Sequence, residues 1–307
     1  VKGPVVLIGP GRLGQAVARL LCDAGYDLRA LISRDPARAV AAARFAGCRH
    51  AATSDLSRVA EGELILFALP DDQLGAMAAA LRRRGHLRPG ATLIHFSGLH
   101  PAAILLGEEG PPLRALSIHP LQTFADSVMG VRNLPGTVFS VEGSPEVIPL
   151  GEALVADLGG HSFVLSAEQK PLYHAAACVA SNYMVTLADT ACQIFSACGF
   201  STDEAFSFLT PLLRGTERNL AALGPKLALT GPIARGDVRT VGKHLKAIAH
   251  LPAEVAQIYR ILGIKTVELA RKKGTLTAEA AEEILQLLES EGDKRGDSGG
   301  APPIPGP

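Results

Sequence analysis

The stretch Val5-Val6-Leu7-Ile8-Gly9-Pro10-Gly11-Arg12-Leu13-Gly14-Gln15-Ala16-Val17-Ala18 decides the fold. An apolar β-type run ends in a Gly-x-Gly-x-x-Gly turn that opens a helical pattern, the order in which a strand feeds a phosphate-binding loop. Gly9 permits the tight turn, Gly11 lets the backbone approach a pyrophosphate, and Gly14 lets the helix sit close on the strand, with the N–H groups of the first helical turn facing the phosphates. Gly9, Pro10, Gly11, Arg12, Leu13 and Gly14 are therefore the expected dinucleotide cradle. The second strand, Leu28-Arg29-Ala30-Leu31-Ile32, ends at Ser33-Arg34, where an NAD site places Asp or Glu for the ribose hydroxyls. A hydroxyl and a guanidinium there suit a 2′-phosphate instead, so the expected cofactor is NADP(H). The competing carboxylate, Asp35, precedes Pro36 and reads as the N-cap of the next helix.

Outward from this loop, β-rich and helical runs alternate: Val5–Gly9, Leu13–Ala24, Leu28–Ser33, Pro36–Ala46, Leu64–Leu69, Leu74–Arg83 and Thr92–Phe96. That rhythm predicts βαβ units and a parallel sheet. Strands at Arg114–Ile118, Thr137–Val141 and Ser162–Leu165, with a helix at Val147–Leu158, extend it. From Ser166 the alternation gives way to helices at Leu172–Cys198, Thr202–Ala222, Val238–Ala249, Ala253–Lys273 and Thr277–Glu289. The expected fold is α/β: a doubly wound Rossmann domain over 1–165, followed by an all-helical C-terminal domain over 166–290 for substrate and dimerisation. Residues 291–307, with almost nothing apolar to bury, read as a disordered tail.

Thirty Lys plus Arg balance thirty Asp plus Glu, so no overall field attracts a polyanion and no nucleic-acid partner is expected. Pro171–Ala188 is uncharged, but His174, Ser181, Asn182 and Thr186 make it a buried bundle helix rather than a membrane span. Five cysteines, an odd number without a Cys-x-x-Cys pair, read as buried thiols of a cytoplasmic protein. The partners expected are a small-molecule substrate and a second copy of the chain, docked through the helical domain.

In doubly wound sheets ligands sit beyond the carboxyl ends of the strands. Those ends here carry Leu69-Pro70-Asp71-Asp72, Ser97-Gly98-Leu99-His100 and His119-Pro120-Leu121-Gln122. Leu69, Pro70 and Ser97 join the expected cofactor site, while Asp71 and Asp72 read first as a helix N-terminus. His119 is the best acid-base candidate, because imidazole exchanges protons near neutral pH. The other histidines lack the spacing of a metal site, and none is expected. On the first long helix, four-residue steps align Lys170, His174, Cys178 and Asn182 on one face. Lys170 and His174 are thus catalytic candidates, with Asn182 placed to position the reacting atom.

Gly9–Gly14, His95-Phe96-Ser97-Gly98, Ser117–Phe124, Lys170–Asn182 and Leu229–Asp237 together resemble a family of Rossmann-like proteins whose helical half is a domain of unknown function, the DUF2520 type. Around it stands the superfamily of ketopantoate and pyrroline-carboxylate reductases and of prephenate and hydroxyisobutyrate dehydrogenases. The resemblance implies an NADP-dependent oxidoreductase that moves hydride to or from a small carbonyl, imine or hydroxyl compound in an interdomain cleft. Ser117-x-His119-Pro120 is similar to prephenate dehydrogenases, but Leu121-Gln122 departs from them. The alternatives are a prephenate-dehydrogenase-like or deazaflavin-linked NADP reductase, and a non-catalytic NADP(H)-binding sensor or assembly protein.

Overall fold

In the computed structural model, residues 2–107 and 110–290 are described; the predicted tail at 291–307 lies outside them. Eight strands, β1 (Pro4–Ile8), β2 (Asp27–Ile32), β3 (Ala52–Thr53), β4 (Leu64–Phe67), β5 (Thr92–His95), β6 (Arg114–Pro120), β7 (Val138–Gly143) and β8 (His161–Val164), form one sheet in the order β3-β2-β1-β4-β5-β6-β7-β8. Strand order reverses at β1, whose neighbours are β2 and β4, and this switch point opens a crevice at the strand ends. The helices α1 (Arg12–Asp23), α2 (Pro36–Ala46), α3 (Leu74–Arg83), α4 (Ser127–Asn133) and α5 (Ile148–Asp157) complete the layers.

Both sheet faces are buried, so the strands read as continuous apolar runs. Val5 and Leu7 join Val17, Leu21, Leu154 and Val155 in one core, while Val6 and Ile8 join Ile65, Phe67, Leu74, Ala78 and Leu81 in the other. The two sets alternate along β1 because successive side chains of a strand point to opposite faces. One departure from the expected parallel sheet is β7, which pairs antiparallel with β6 before β8 returns parallel to β7 through α5. The pairing sets Ser117 opposite Glu142 and His119 opposite Ser140.

The first compact unit extends through Tyr183 and so includes α6 (Lys170–Ala180), while a second begins at Met184. Backbone helicity breaks at Ser181 (φ −117°, ψ −71°), and α7 (Asn182–Ser196) follows. The predicted single helix over Leu172–Cys198 is thus two. In the second unit, α8 (Thr202–Ala228) starts at a capping box between Ser201 and Glu204 and kinks at Gly224, which lies at φ 72° before Pro225. The helices α9 (Val238–Ile248), α10 (Ala253–Lys273) and α11 (Ala278–Glu289) follow, with Val241, Val267, Ala281, Ile284 and Leu288 as their common core. No helix among the described residues is long and apolar enough to cross a membrane.

Cys22 on α1 and Cys48 after α2 are paired as a disulfide, which corrects the expectation of five free thiols. Proximity of two sulfurs across a helix pair is a tertiary fact that cysteine spacing does not carry. Cys178, Cys192 and Cys198 are free.

Candidate functional site

The glycine turn is built as its residue types require. Gly9 has φ +91°, and a Cβ there would lie 2.5 Å from the Ala68 carbonyl oxygen, so only glycine makes this turn. A Cβ on Gly14 would meet the Gly9 carbonyl at 2.5 Å, so α1 owes its close seat on the loop to this glycine. At Gly11 a Cβ would meet nothing within 4 Å. The space over Gly11 is therefore open at the N-terminus of α1, where backbone N–H groups favour an anion.

A cavity of about 640 Å³ lies along this edge, lined by Gly9, Pro10, Gly11, Ser33, Arg34, Arg38, Leu69 and Pro70, among others. Its β2 end carries two guanidinium side chains, Arg34 and Arg38. Asp35 also borders the cavity, and its Oδ1 serves as the N-cap of α2, accepting from the Ala37 N–H at 2.9 Å and the Arg38 N–H at 3.3 Å. Its N–H donates to Ser33 Oγ at 3.2 Å. The polar side chains lining the cavity are Ser33, Arg34, Asp35, Arg38, Ser54 and Gln73, so two cations face it beside one carboxylate that is engaged as a helix cap. Open space over Gly11, a helix N-terminus and two cations fit a phosphorylated dinucleotide with a 2′-phosphate. Of the other expected cradle residues, Arg12 reaches the Phe124 carbonyl at 3.4 Å and Leu13 packs against the core.

Two strands along the sheet, the polar residues at the ends of β4, β5 and β6 form one connected cluster. Ser97 Oγ donates to Asp71 Oδ2 at 2.8 Å and accepts from the N–H groups of Leu99 and His100. The Ser97 N–H donates to His95 Nδ1 at 3.1 Å, and His95 Nε2 faces the Pro101 carbonyl at 3.2 Å, so His95 is the Nε2–H tautomer. Burial holds its pKa down to about 3, which makes it a neutral structural brace.

Lys170 is fully buried, its ammonium donating to the Ser97 carbonyl at 3.1 Å and to Ser117 Oγ at 2.7 Å. Burial lowers its pKa to about 8, against the pull of the Glu142 and Asp71 carboxylates. Glu142 is itself buried and accepts from the Ala102 N–H at 2.6 Å. The amine is thus sealed within the protein, organising the ends of β5 and β6.

His119 and Tyr173 form the outer part of the cluster. His119 Nδ1 lies 2.7 Å from Tyr173 Oη, with the rings edge to face at 5.6 Å. Burial, then the Lys170 cation and His174, hold the pKa of His119 down to about 4, so the imidazole is neutral at physiological pH. The His174 ring stands edge-on to it at 5.9 Å. Both imidazoles press on Gly98: a Cβ there would lie 2.6 Å from His174 Nδ1 and 3.0 Å from His119 Nε2. His174 Nε2 faces Cys178 Sγ at 3.8 Å, one helical turn on.

Of the expected catalytic residues, the structure brings His119, His174 and Lys170 together, with Ser97 from the expected cofactor set. Asn182 begins α7 beyond the break at Ser181, so the four-residue stripe ends at Cys178. Sequence reading missed Tyr173, Ser117, Glu142 and Arg38, and saw Asp71 only as a helix start. Arg38 is one turn beyond Arg34, a signal that was present; Tyr173 lies off the stripe that was followed, beside His174. Among the described residues, no three His, Cys, Asp or Glu side chains converge to hold a metal.

Residues 2–120 match the Rossmann-like domain family and residues 137–266 match a domain of unknown function, DUF2520. No curated protein matches the chain. Among solved structures, it is similar to a Bacteroides fragilis protein described by inference as an NADP oxidoreductase, with 26% identity, TM-score 0.68, and coverage of 87% of this chain and 98% of that one. A Thermotoga maritima protein follows at 23% identity and TM-score 0.69, covering 88% and 99%. An Aspergillus terreus reductive aminase, solved with NADPH and ethyl-5-oxohexanoate, shares 18% identity at TM-score 0.55, covering 94% and 93%. These last two speak to the fold alone.

Proposed function

We propose that this chain, a Rossmann-like domain followed by a DUF2520 domain, is an NADP(H)-dependent oxidoreductase acting on a small carbonyl, imine or hydroxyl compound. The observation that carries the reading is the juxtaposition of an open glycine cradle, at the switch point of the sheet, with a buried histidine-centred cluster at the ends of the next strands. Gly9–Gly14 would hold the pyrophosphate, Ser33, Arg34 and Arg38 the 2′-phosphate, and Leu69, Pro70 and Ser97 the nicotinamide side. The cofactor supplies or accepts a hydride when bound. The chain's own residues then have to hold and move a proton.

In this reading His119 exchanges the proton with the substrate heteroatom, and His174 walls the same spot. Lys170 acts without touching substrate: its cation keeps His119 neutral and fixes Ser97 and Ser117. Burial and the nearby Lys170 cation act on His119 in the same direction, both favouring the neutral ring.

The helical region exposes large apolar side chains, including Val185 at 71% and Leu212 at 65%. A patch of this kind on α7 and α8 fits a second copy of the chain, and we assign a homodimer through these helices.

The test follows NADPH absorbance while a panel of aldehydes, ketones and cyclic imines is added to wild type and to His119→Gln. Turnover by wild type that falls on the order of 100-fold in the variant is the expected result. NADPH binding with no oxidation across the panel would leave a cofactor-binding sensor instead.

A further inference from the structure

A neutral imidazole cannot simply give up its proton, and this constrains how His119 works. At neutral pH it carries one proton, and losing that proton alone would leave an imidazolate. A second group has to supply a proton to the other ring nitrogen in the same event. Only one side chain is seen bonded to that nitrogen among the described residues: Tyr173, whose hydroxyl lies 2.7 Å from His119 Nδ1.

Tyr173 is well placed for this. It sits in the first turns of α6, three residues after the sealed Lys170, and its ring stands edge-on to Phe163 at 5.9 Å and to His119 at 5.6 Å. The phenol is only partly buried, which leaves it open to water. Burial raises its pKa, so it stays a hydroxyl at neutral pH and can donate to Nδ1, which is then the acceptor. The proton of His119 then rides on Nε2, the nitrogen on the Gly98 side, with the His174 ring beside it.

We infer that Tyr173 is the proton reservoir of the site, passing its hydroxyl proton to His119 Nδ1 as His119 Nε2 gives its own proton to the substrate heteroatom. This inference rests on the oxidoreductase reading and adds to it a second residue and a neutral relay. The balance closes. The heteroatom gains its electron pair when its carbon receives hydride, and it uses that pair to bind the Nε2 proton. The electron pair of that N–H bond stays on the ring, and the ring's Nδ1 lone pair takes the Tyr173 proton, leaving a phenolate. His119 begins and ends neutral with its tautomer exchanged, and the phenolate regains a proton from water. In the oxidative direction every step reverses. Tyr173 acts through His119 and is therefore a positioning and proton-storing residue.

Long-range ¹H–¹⁵N spectra of the full chain, labelled at histidine, test the relay without substrate or cofactor. At pH 7 two imidazoles, His95 and His119, should be neutral, protonated at Nε2 and bare at Nδ1, and the one assigned to His119 by its absence from His119→Gln should lose this single-tautomer signature in Tyr173→Phe. A His119 protonated at Nδ1, or a spectrum that Tyr173→Phe leaves unchanged, would overturn the inference. With any compound that wild type turns over, Tyr173→Phe should lower kcat on the order of 100-fold and leave KM within about threefold. A wild-type kcat would also overturn it. If no compound is turned over, the oxidoreductase reading falls while the spectra still decide the Tyr173–His119 pair.

Discussion

Replacing Lys170 with methionine should change how stability responds to alkali, and the size of the change follows from the geometry. The amine is fully buried on the Ser97 carbonyl and Ser117 Oγ, and its pKa falls from 10.5 to about 8. A folded value below the unfolded one means the folded chain releases this proton first as pH rises. Between pH 8 and pH 10.5 the unfolded chain holds more protons, so stability increases with pH through that window. At about 1.36 kcal/mol per pKa unit the whole effect is roughly 3 kcal/mol, of which about 2–3 kcal/mol falls between pH 7 and pH 10. Lys170→Met has no such proton to release. Its stability at pH 7 alone is a poor guide, since relief of a buried charge is offset by about 1–3 kcal/mol for the partners it abandons. Urea unfolding of both proteins at pH 7, 8, 9 and 10 isolates the effect, because all other titrating groups are shared. Wild type should gain about 2–3 kcal/mol on the variant across this range. Parallel stability curves would refute the reasoning, since they would mean the amine keeps its ordinary pKa and is not sealed in the protein.

Three further outcomes follow from the same structure. Arg34→Ala combined with Arg38→Ala should weaken NADPH about 10- to 100-fold and NADH less than about threefold, measured by calorimetry, because only the 2′-phosphate loses charge-assisted bonds. Equal weakening of both would remove the phosphate assignment. Gly98→Ala drives a Cβ to 2.6 Å from His174 Nδ1 and should cost about 1–3 kcal/mol in urea unfolding; an unchanged midpoint would show that the imidazoles do not pack there. Leu212→Glu puts a charge on an exposed apolar face and should turn a dimer into a monomer by light scattering, whereas a monomeric wild type would end the dimer proposal.

Most of the architecture was legible because both periods are strong here. The strands β1, β2, β4, β5 and β6 and the helices α9, α10 and α11 lie within a few residues of where alternation and 3.6-residue spacing put them, whereas the two-residue β3 is too short to carry a period. Direction was not legible: a strand's side-chain pattern is the same read either way, so the antiparallel β7 could only come from pairing. The short α4, with Gly130 inside it, gives too little periodicity to register, and the break at Ser181 follows no proline or glycine. At the site, the glycine cradle was readable as a local motif, because its chemistry is contained in six consecutive residues. The polar cluster was readable only in part. His119 and Lys170 announce themselves by residue type, but Glu142 and Ser117 become partners through strand register, and Tyr173 meets His119 across 54 residues of chain.

The most direct test of the cofactor claim uses Gly11, where a methyl group meets nothing in the protein yet stands where the phosphates would lie. NADPH is titrated calorimetrically into wild type and into Gly11→Ala, with urea unfolding of both. The account predicts unfolding free energies within about 0.5 kcal/mol of each other and an NADPH affinity at least tenfold weaker in the variant. Equal affinities, or no NADPH binding to wild type, would contradict it.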